Sequence, residues 1–186
     1  MDSLDRDALA AHPSGVTLSH IQQVRIMKVP NTETGRAAED TVVQAYGSLT
    51  QIRLALPEQA RRESVAALNR LLAHTMAIRD LYKKAHWQAS GATFYQLHLL
   101  FDKHYGEQIE LMDALAERVQ TFGGVALALA RDVAEESRIT RAPRGREAVP
   151  AQLSRLIEAH ELILDEARPL AREASERGTM APTTSW

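Results

Sequence analysis

The stretch from His86 to Glu117 limits what this chain can become more than any other part of it. A His-Trp pair, His86 and Trp87, is followed by a break at Gly91 and then by a long helical pattern carrying His98, Asp102, Asp113 and Glu117. At about 100° per residue, with His98 taken as the origin, Asp102 lies at about 40°, Asp113 at about 60° and Glu117 at about 100°. The four share one helix face, as two pairs at i, i+4. They are not one cluster. His98 and Asp113 are separated by roughly 22 Å along the axis, whereas a metal ion takes its ligands at about 2.0–2.6 Å. One such helix offers two half-sites.

The two pairs are mirror-spaced about a point between Glu107 and Gln108. A second copy laid antiparallel across a two-fold axis at that point sets His98 and Asp102 of one chain beside Glu117 and Asp113 of the other. Isologous dimers are the commonest oligomers, and this one would complete two identical sites. Imidazole nitrogen with carboxylate oxygen suits iron, manganese or zinc. The same spacing also fits ordinary solvent-facing ion pairs, and His86 taken alone fits a core or capping role.

The remainder of the chain predicts helices. Its 186 residues suit one domain, rich in Ala, Leu, Glu and Arg with few aromatics. Val65, Leu68, Leu71, Leu72, Ile78, Leu81 and Tyr82 recur at three-to-four spacing and predict a helix over about 58–88, opened by Pro57. Leu97, Leu100, Phe101, Ile109, Met112, Leu115 and Val119 predict a second over about 93–122, stopped by Gly123 and Gly124. Residues 125–136 fit a short helix. A third long helix is expected from about Pro150 to residue 177, kinked at Pro169 because proline removes a hydrogen bond and clashes with the preceding turn. His104 falls away from the ligand face, and His74 matches no site, which predicts a surface or hydrogen-bonded role. Trp87 is expected to pack. Arg138, Arg141, Arg144 and Arg146 read first as a solvated loop, with phosphate contact as the alternative.

The formal net charge of −2 gives no global reason to expect nucleic-acid binding. The absence of cysteine excludes disulfides, Cys-zinc sites and thiol catalysis. No apolar run is long enough to cross a membrane and no secretory leader is visible, so a cytoplasmic address is expected. Residues 1–53 read as a partly ordered arm that packs on a neighbouring subunit, with a short helix over Ala37–Ala45 and an extended stretch through Leu49, Ile52, Leu54 and Leu56. Residues 1–50 hold four basic side chains against six acidic ones.

Ala85-His86-Trp87, Gly91, then His98-Leu99-Leu100-Phe101-Asp102, then Asp113 and Glu117, resembles the Dps proteins of the ferritin-like superfamily. The likeness extends through Leu81, Tyr82, Glu107 and Phe122-Gly123-Gly124 and covers roughly residues 54–177. It implies an all-α, ferritin-like four-helix bundle over residues 54–178, with a short helix in the middle connection. It implies hollow dodecamers built from two-fold dimers, with a ferroxidase centre between subunits that oxidises Fe(II), preferably with hydrogen peroxide, and deposits ferric mineral inside the shell. Asp113 and Glu117 would hold the tighter-bound iron, with Glu117 able to bridge. His86, His98 and Asp102 of the other subunit would complete the centre. No Glu-x-x-His occurs, which argues against the di-iron site of ferritins and bacterioferritins.

Family members that bind DNA commonly use basic tails, working by counterion release. The acidic arm here does not support that, so DNA compaction and nucleoid association stand as an alternative. A metal-free helical interaction protein is another. The tail, residues 179–186, is too short for the fourth long helix of the pattern. A reading-frame shift would account for this truncated last helix. A genuine truncation would leave an apolar face for the arm to cover.

Overall fold

A computed structural model describes residues 41–176; the larger part of the expected arm and the whole 179–186 tail lie outside them. The described residues form four helices and no strand: α1 (Glu58–Gln88), α2 (Phe94–Thr121), α3 (Ala130–Glu136) and α4 (Val149–Glu176). The described residues are all-α, with three long helices and the short α3 in the connection between the second and third of them. Residues 41–45, the described end of the expected arm helix, form a turn and bends.

Helix boundaries follow local chemistry. Pro57 sits at the α1 N-cap, where its missing N–H costs nothing. At the end of α2 the Gly123 N–H donates to Gln120 O (2.8 Å) and the Gly124 N–H to Val119 O (3.0 Å). This is the crossed pair of bonds that closes a helix through a left-handed residue. Gly123 supplies the required φ of +80°, and a Cβ there would lie 2.9 Å from Thr50 Oγ1. A Cβ on Gly124 would lie 2.6 Å from a Val65 methyl, so the helix end is pressed against α1. Pro169 lies inside α4, which continues to Glu176.

α1 is the hub. It packs against α2, α3 and α4, while the backbones of α2 and α4 do not approach each other among the described residues. The main core gathers Ile78, Tyr82 and Ala85 from α1, Phe101 from α2, and Leu156 and Ala159 from α4. A second cluster, Val65 with Val119 and Phe122, seals the other end of the α1–α2 pair. Beside it an apolar groove of about 290 Å³ runs between α1, the end of α2 and the end of α4, lined by Ala67, Leu68, Leu71, Phe122, Ala167 and Leu170.

Buried polar side chains of α1 hold the non-helical segments. Arg61 donates to Thr50 O (3.3 Å) and Phe122 O (3.1 Å), placing its charge at the negative end of α2. Asn69 donates to Val125 O (3.0 Å) and accepts from the Leu127 N–H (2.9 Å). His74 is fully buried, which removes the surface alternative for it and leaves the hydrogen-bonded one. Its Nε2 lies 3.3 Å from Glu166 Oε2 and its Nδ1 lies 3.1 Å from Ser137 Oγ. An ionised carboxylate only accepts, so Nε2 carries the proton and Nδ1 accepts from the Ser137 hydroxyl. Arg138 meets the other Glu166 oxygen at 2.7 Å.

Burial holds the His74 pKa below the usual imidazole value, opposed by the neighbouring Glu166 charge and hydrogen bond. A depressed folded-state pKa means that the unfolded chain binds the proton first as pH falls. The His74 contribution is therefore intact above about pH 6.5 and is lost progressively below it. His74→Leu, which leaves the Ser137 hydroxyl hydrogen and part of Glu166 without a partner, is expected to cost about 1–3 kcal/mol at neutral pH in urea unfolding. The gap between wild type and variant should shrink on acidification; a gap independent of pH would refute the assignment.

Candidate metal centre

His86 lies in the last turn of α1 and His98 early in α2. The connection between them turns at Gly91, whose φ of +89° admits a reversal that a side chain would strain. The Phe94 N–H donates to Gly91 O at 3.1 Å and starts the new helix. The reversal stacks the two imidazoles, with centroids 3.7 Å apart and planes 23° from parallel. Each ring then bonds the other residue's backbone: His86 Nδ1 to His98 O at 2.8 Å, and His98 Nδ1 to His86 O at 3.0 Å. Carbonyl oxygens only accept, so both Nδ1 atoms carry hydrogen, and in the neutral rings both Nε2 atoms keep a lone pair. A metal-ligating histidine is commonly oriented this way.

Asp102, one turn after His98, lies 3.8 Å from His86 Nδ1 and 2.6 Å from Lys83 Nζ. The Lys83 hydrogen bond holds the Asp102 carboxyl below the usual carboxylate range; desolvation opposes this, while the charges of Lys83, His86 and His98 add to it. His86, His98 and Asp102 are thus neighbours within one protomer. Helical spacing alone connects only the last two, because His86 arrives from another helix. Lys83 was not anticipated. Its position three residues before His86, on one side of α1, is the signal that would have found it. Its ammonium also lies 4.3 Å from the Tyr105 ring centroid.

Asp113 and Glu117 lie further along α2, both exposed, with no side-chain partner among the described residues. The structure does not bring them to the histidines within one chain, and no group of three or more potential ligands able to hold a metal occurs among the described residues. His104 pairs with Glu107 at 2.6 Å and lies beside the Tyr82 ring. Trp87 corrects one expectation: it is 71% exposed and fills no core position in the protomer, because the end of α1 turns it outward.

A ferritin-like domain model matches residues 65–181 of the chain. A protein of Kitasatospora aureofaciens is 51% identical over 136 residues, covering 73% of this chain and 91% of its own. DpsC from Streptomyces coelicolor superposes with a TM-score of 0.72 at 53% identity, over 74% of this chain and 80% of that one. The chain belongs to the Dps family of the ferritin-like superfamily. A Dps homologue from Halobacterium salinarum gives a TM-score of 0.72 at 25% identity, over 76% and 79% of the two chains. Among the curated relatives is a DNA protection during starvation protein of Agrobacterium fabrum, 28% identical over 70% of this chain and 79% of its own.

In this Dps-family chain Lys83 restrains Asp102, and its removal should show directly. Lys83→Ala is expected to raise the Asp102 carboxyl pKa toward its ordinary carboxylate value. Carboxyl-carbon NMR titration of wild type and variant reads the change; an unmoved titration would mean that the contact is absent in solution.

Proposed function

We propose that this protein oxidises Fe(II) at a centre shared between two protomers and stores the ferric product within a homo-oligomeric shell, limiting oxidative damage. One observation carries the reading. The ligand face of α2 also carries exposed apolar side chains. With His98 as origin, Ile109 falls at about 20°, Tyr95 at about 60°, Gly106 at about 80° and Leu99 at about 100°, the same arc as the four ligands. Tyr95 is 67% exposed, Leu99 50% and Ile109 37%. A Cβ on Gly106 would meet nothing within 4 Å, so nothing from the protomer itself crowds the backbone there. Such a face suits a second copy of the same helix, antiparallel about the point between Glu107 and Gln108.

That pairing sets His86, His98 and Asp102 of one protomer against Asp113 and Glu117 of the other. The donor set, two imidazole Nε2 atoms and three carboxylates, fits iron. Two Fe(II) ions supply one electron each to hydrogen peroxide; its O–O bond breaks, and two protons complete two waters. The carboxylates favour the Fe(III) product by charge, and the imidazoles retain affinity for Fe(II). A dodecamer built from six such dimers is the assembly that membership of this family supports.

Asp113→Ala/Glu117→Ala should abolish fast Fe(II) oxidation after peroxide addition, and His98→Ala/Asp102→Ala should do the same. Co-expressing the two variants tests the sharing. Each mixed dimer has one intact centre and one doubly broken centre, so random pairing restores roughly a quarter of the wild-type burst. No recovery in mixed oligomers of confirmed composition would overturn the shared centre, as would full activity in either parent variant.

A further inference from the structure

Tyr82 of α1 is buried in the core, 6% exposed, and its hydroxyl lies 2.7 Å from Nε2 of the half-buried His160 on α4. It makes no other hydrogen bond with a described residue. If Nε2 carried the hydrogen, the phenolic hydrogen would be buried without an acceptor, so the phenol donates and Nε2 accepts. Burial, helped by the Glu107 charge, pushes the Tyr82 phenol above its usual pKa. Burial, helped by the His104 charge, holds His160 below the usual imidazole value. At neutral pH the pair is therefore a neutral phenol bonded to a neutral base. A buried phenol needs a partner, and a carbonyl or amide would serve as one. An imidazole differs from both because it can also take the proton away.

The pair adjoins the candidate centre. Tyr82 precedes His86 by four residues, one turn of α1 and about 6 Å of axis. Its ring centroid lies 6.3 Å from that of Phe101, which directly precedes Asp102 on α2. The other tyrosines are worse placed to lend an electron. Tyr46 and Tyr95 are 59% and 67% exposed, so a radical on either meets solvent. The Lys83 ammonium lies 4.3 Å from the Tyr105 ring centroid, and a cation over a ring opposes removal of an electron from it.

We propose that Tyr82, with His160 as its proton acceptor, is a one-electron donor to a centre that holds a single Fe(II). This use of the pair rests on the iron-oxidising reading above. Reduction of hydrogen peroxide to two hydroxides takes two electrons. A lone Fe(II) supplies one, and the O–O bond breaks to give hydroxide and a hydroxyl radical. Tyr82 supplies the other. An electron leaves the phenol for that radical, making it hydroxide, while the phenolic proton crosses the 2.7 Å hydrogen bond to His160 Nε2. The products are Fe(III), two hydroxides, a neutral phenoxyl radical and an imidazolium. Because the proton moves with the electron, the positive charge ends on the half-buried His160 and not on the fully buried phenol. A later Fe(II) returns an electron to the phenoxyl oxygen, the proton comes back from His160, and the resting pair is restored. The consequence is that a half-filled centre releases no hydroxyl radical.

Electron paramagnetic resonance of the full-length protein tests both the pair and its use. In the iron-free protein, flash oxidation by photo-excited tris(bipyridine)ruthenium with persulfate should give a tyrosyl radical component that Tyr82→Phe loses. His160→Gln keeps an acceptor but no base, and it should lose that component too; a bond that serves only packing would leave it in place. With less than one Fe(II) per centre and excess hydrogen peroxide, the same component should appear in freeze-quenched wild type. A spin trap should then collect more hydroxyl radical from Tyr82→Phe than from wild type. Circular dichroism and native mass matching wild type report intact folding of both variants. A radical signal that persists undiminished in Tyr82→Phe overturns the proposal, as do equal spin-trap yields from the two proteins. Formation of the Tyr82 radical in a protein that oxidises no Fe(II) would sink the metal reading while supporting the donor pair.

Discussion

The exchange of hydrogen bonds between His86 and His98 settles two matters at once. His86 O belongs to the last turn of α1, where carbonyls have no partner within the helix, and His98 Nδ1 supplies one. His86 Nδ1 returns the bond across the reversal. The pair therefore fastens the end of one long helix to the start of the next. It also fixes the tautomer of both rings, because a carbonyl can only accept. The consequence for chemistry is that both Nε2 atoms are Lewis-basic whenever the rings are neutral. In the proposed centre a structural closure and a ligand pair are one arrangement, and disturbing either would disturb both.

The same economy runs along α1. Arg61, Asn69, His74 and Lys84 reach, in chain order, the 41–56 segment, the chain after α2, the chain after α3 and the lead-in to α4. The first three are buried, where an unpartnered polar group would cost about 1–3 kcal/mol, so each tether resists loss. These bonds place loops that hydrophobic periodicity cannot place. They explain how the α3–α4 connection, with no regular structure of its own, has its ends fixed.

The long helices were legible because period and punctuation agreed. Apolar spacing marked α1 and α2 to within a residue of their ends, and Pro57, Gly91 and Gly123-Gly124 marked the boundaries for stated steric reasons. The grouping of His98 with Asp102 also follows from the helical repeat. What did not follow was anything that crosses from one element to another. His86 joins the site only through the Gly91 reversal, and Lys83 only through a side chain reaching from α1 to α2. The His74 partners lie 63 and 92 residues away, so nothing local announces them. Packing of Trp87 is what the family resemblance implies; its outward direction in the protomer depends on where α1 stops, and one residue of rotation at a helix end moves a side chain by about 100°.

The carboxylates of Asp113 and Glu117 are not distinguished by exposure, which Glu110 shares. They are distinguished by standing on the face that carries Tyr95, Leu99 and Ile109. Covering that face with a second helix takes the carboxylates out of water, at several kilocalories per mole for each charge left uncompensated. The groups that pairing would bring opposite them offer little help. The Nε2 atoms of His86 and His98 are acceptors, and Asp102 already has its cation in Lys83. Acceptors facing acceptors in a buried contact repel. A proton shared between them, or a divalent cation, turns the same contact favourable, and only the cation satisfies several oxygen and nitrogen lone pairs at once. On the proposed reading, a sequence pattern that places the half-sites on an apolar face would couple assembly to metal. In the proposed centre the dimer would need the ion to tolerate its own ligands, and the ion would need the dimer to find enough of them.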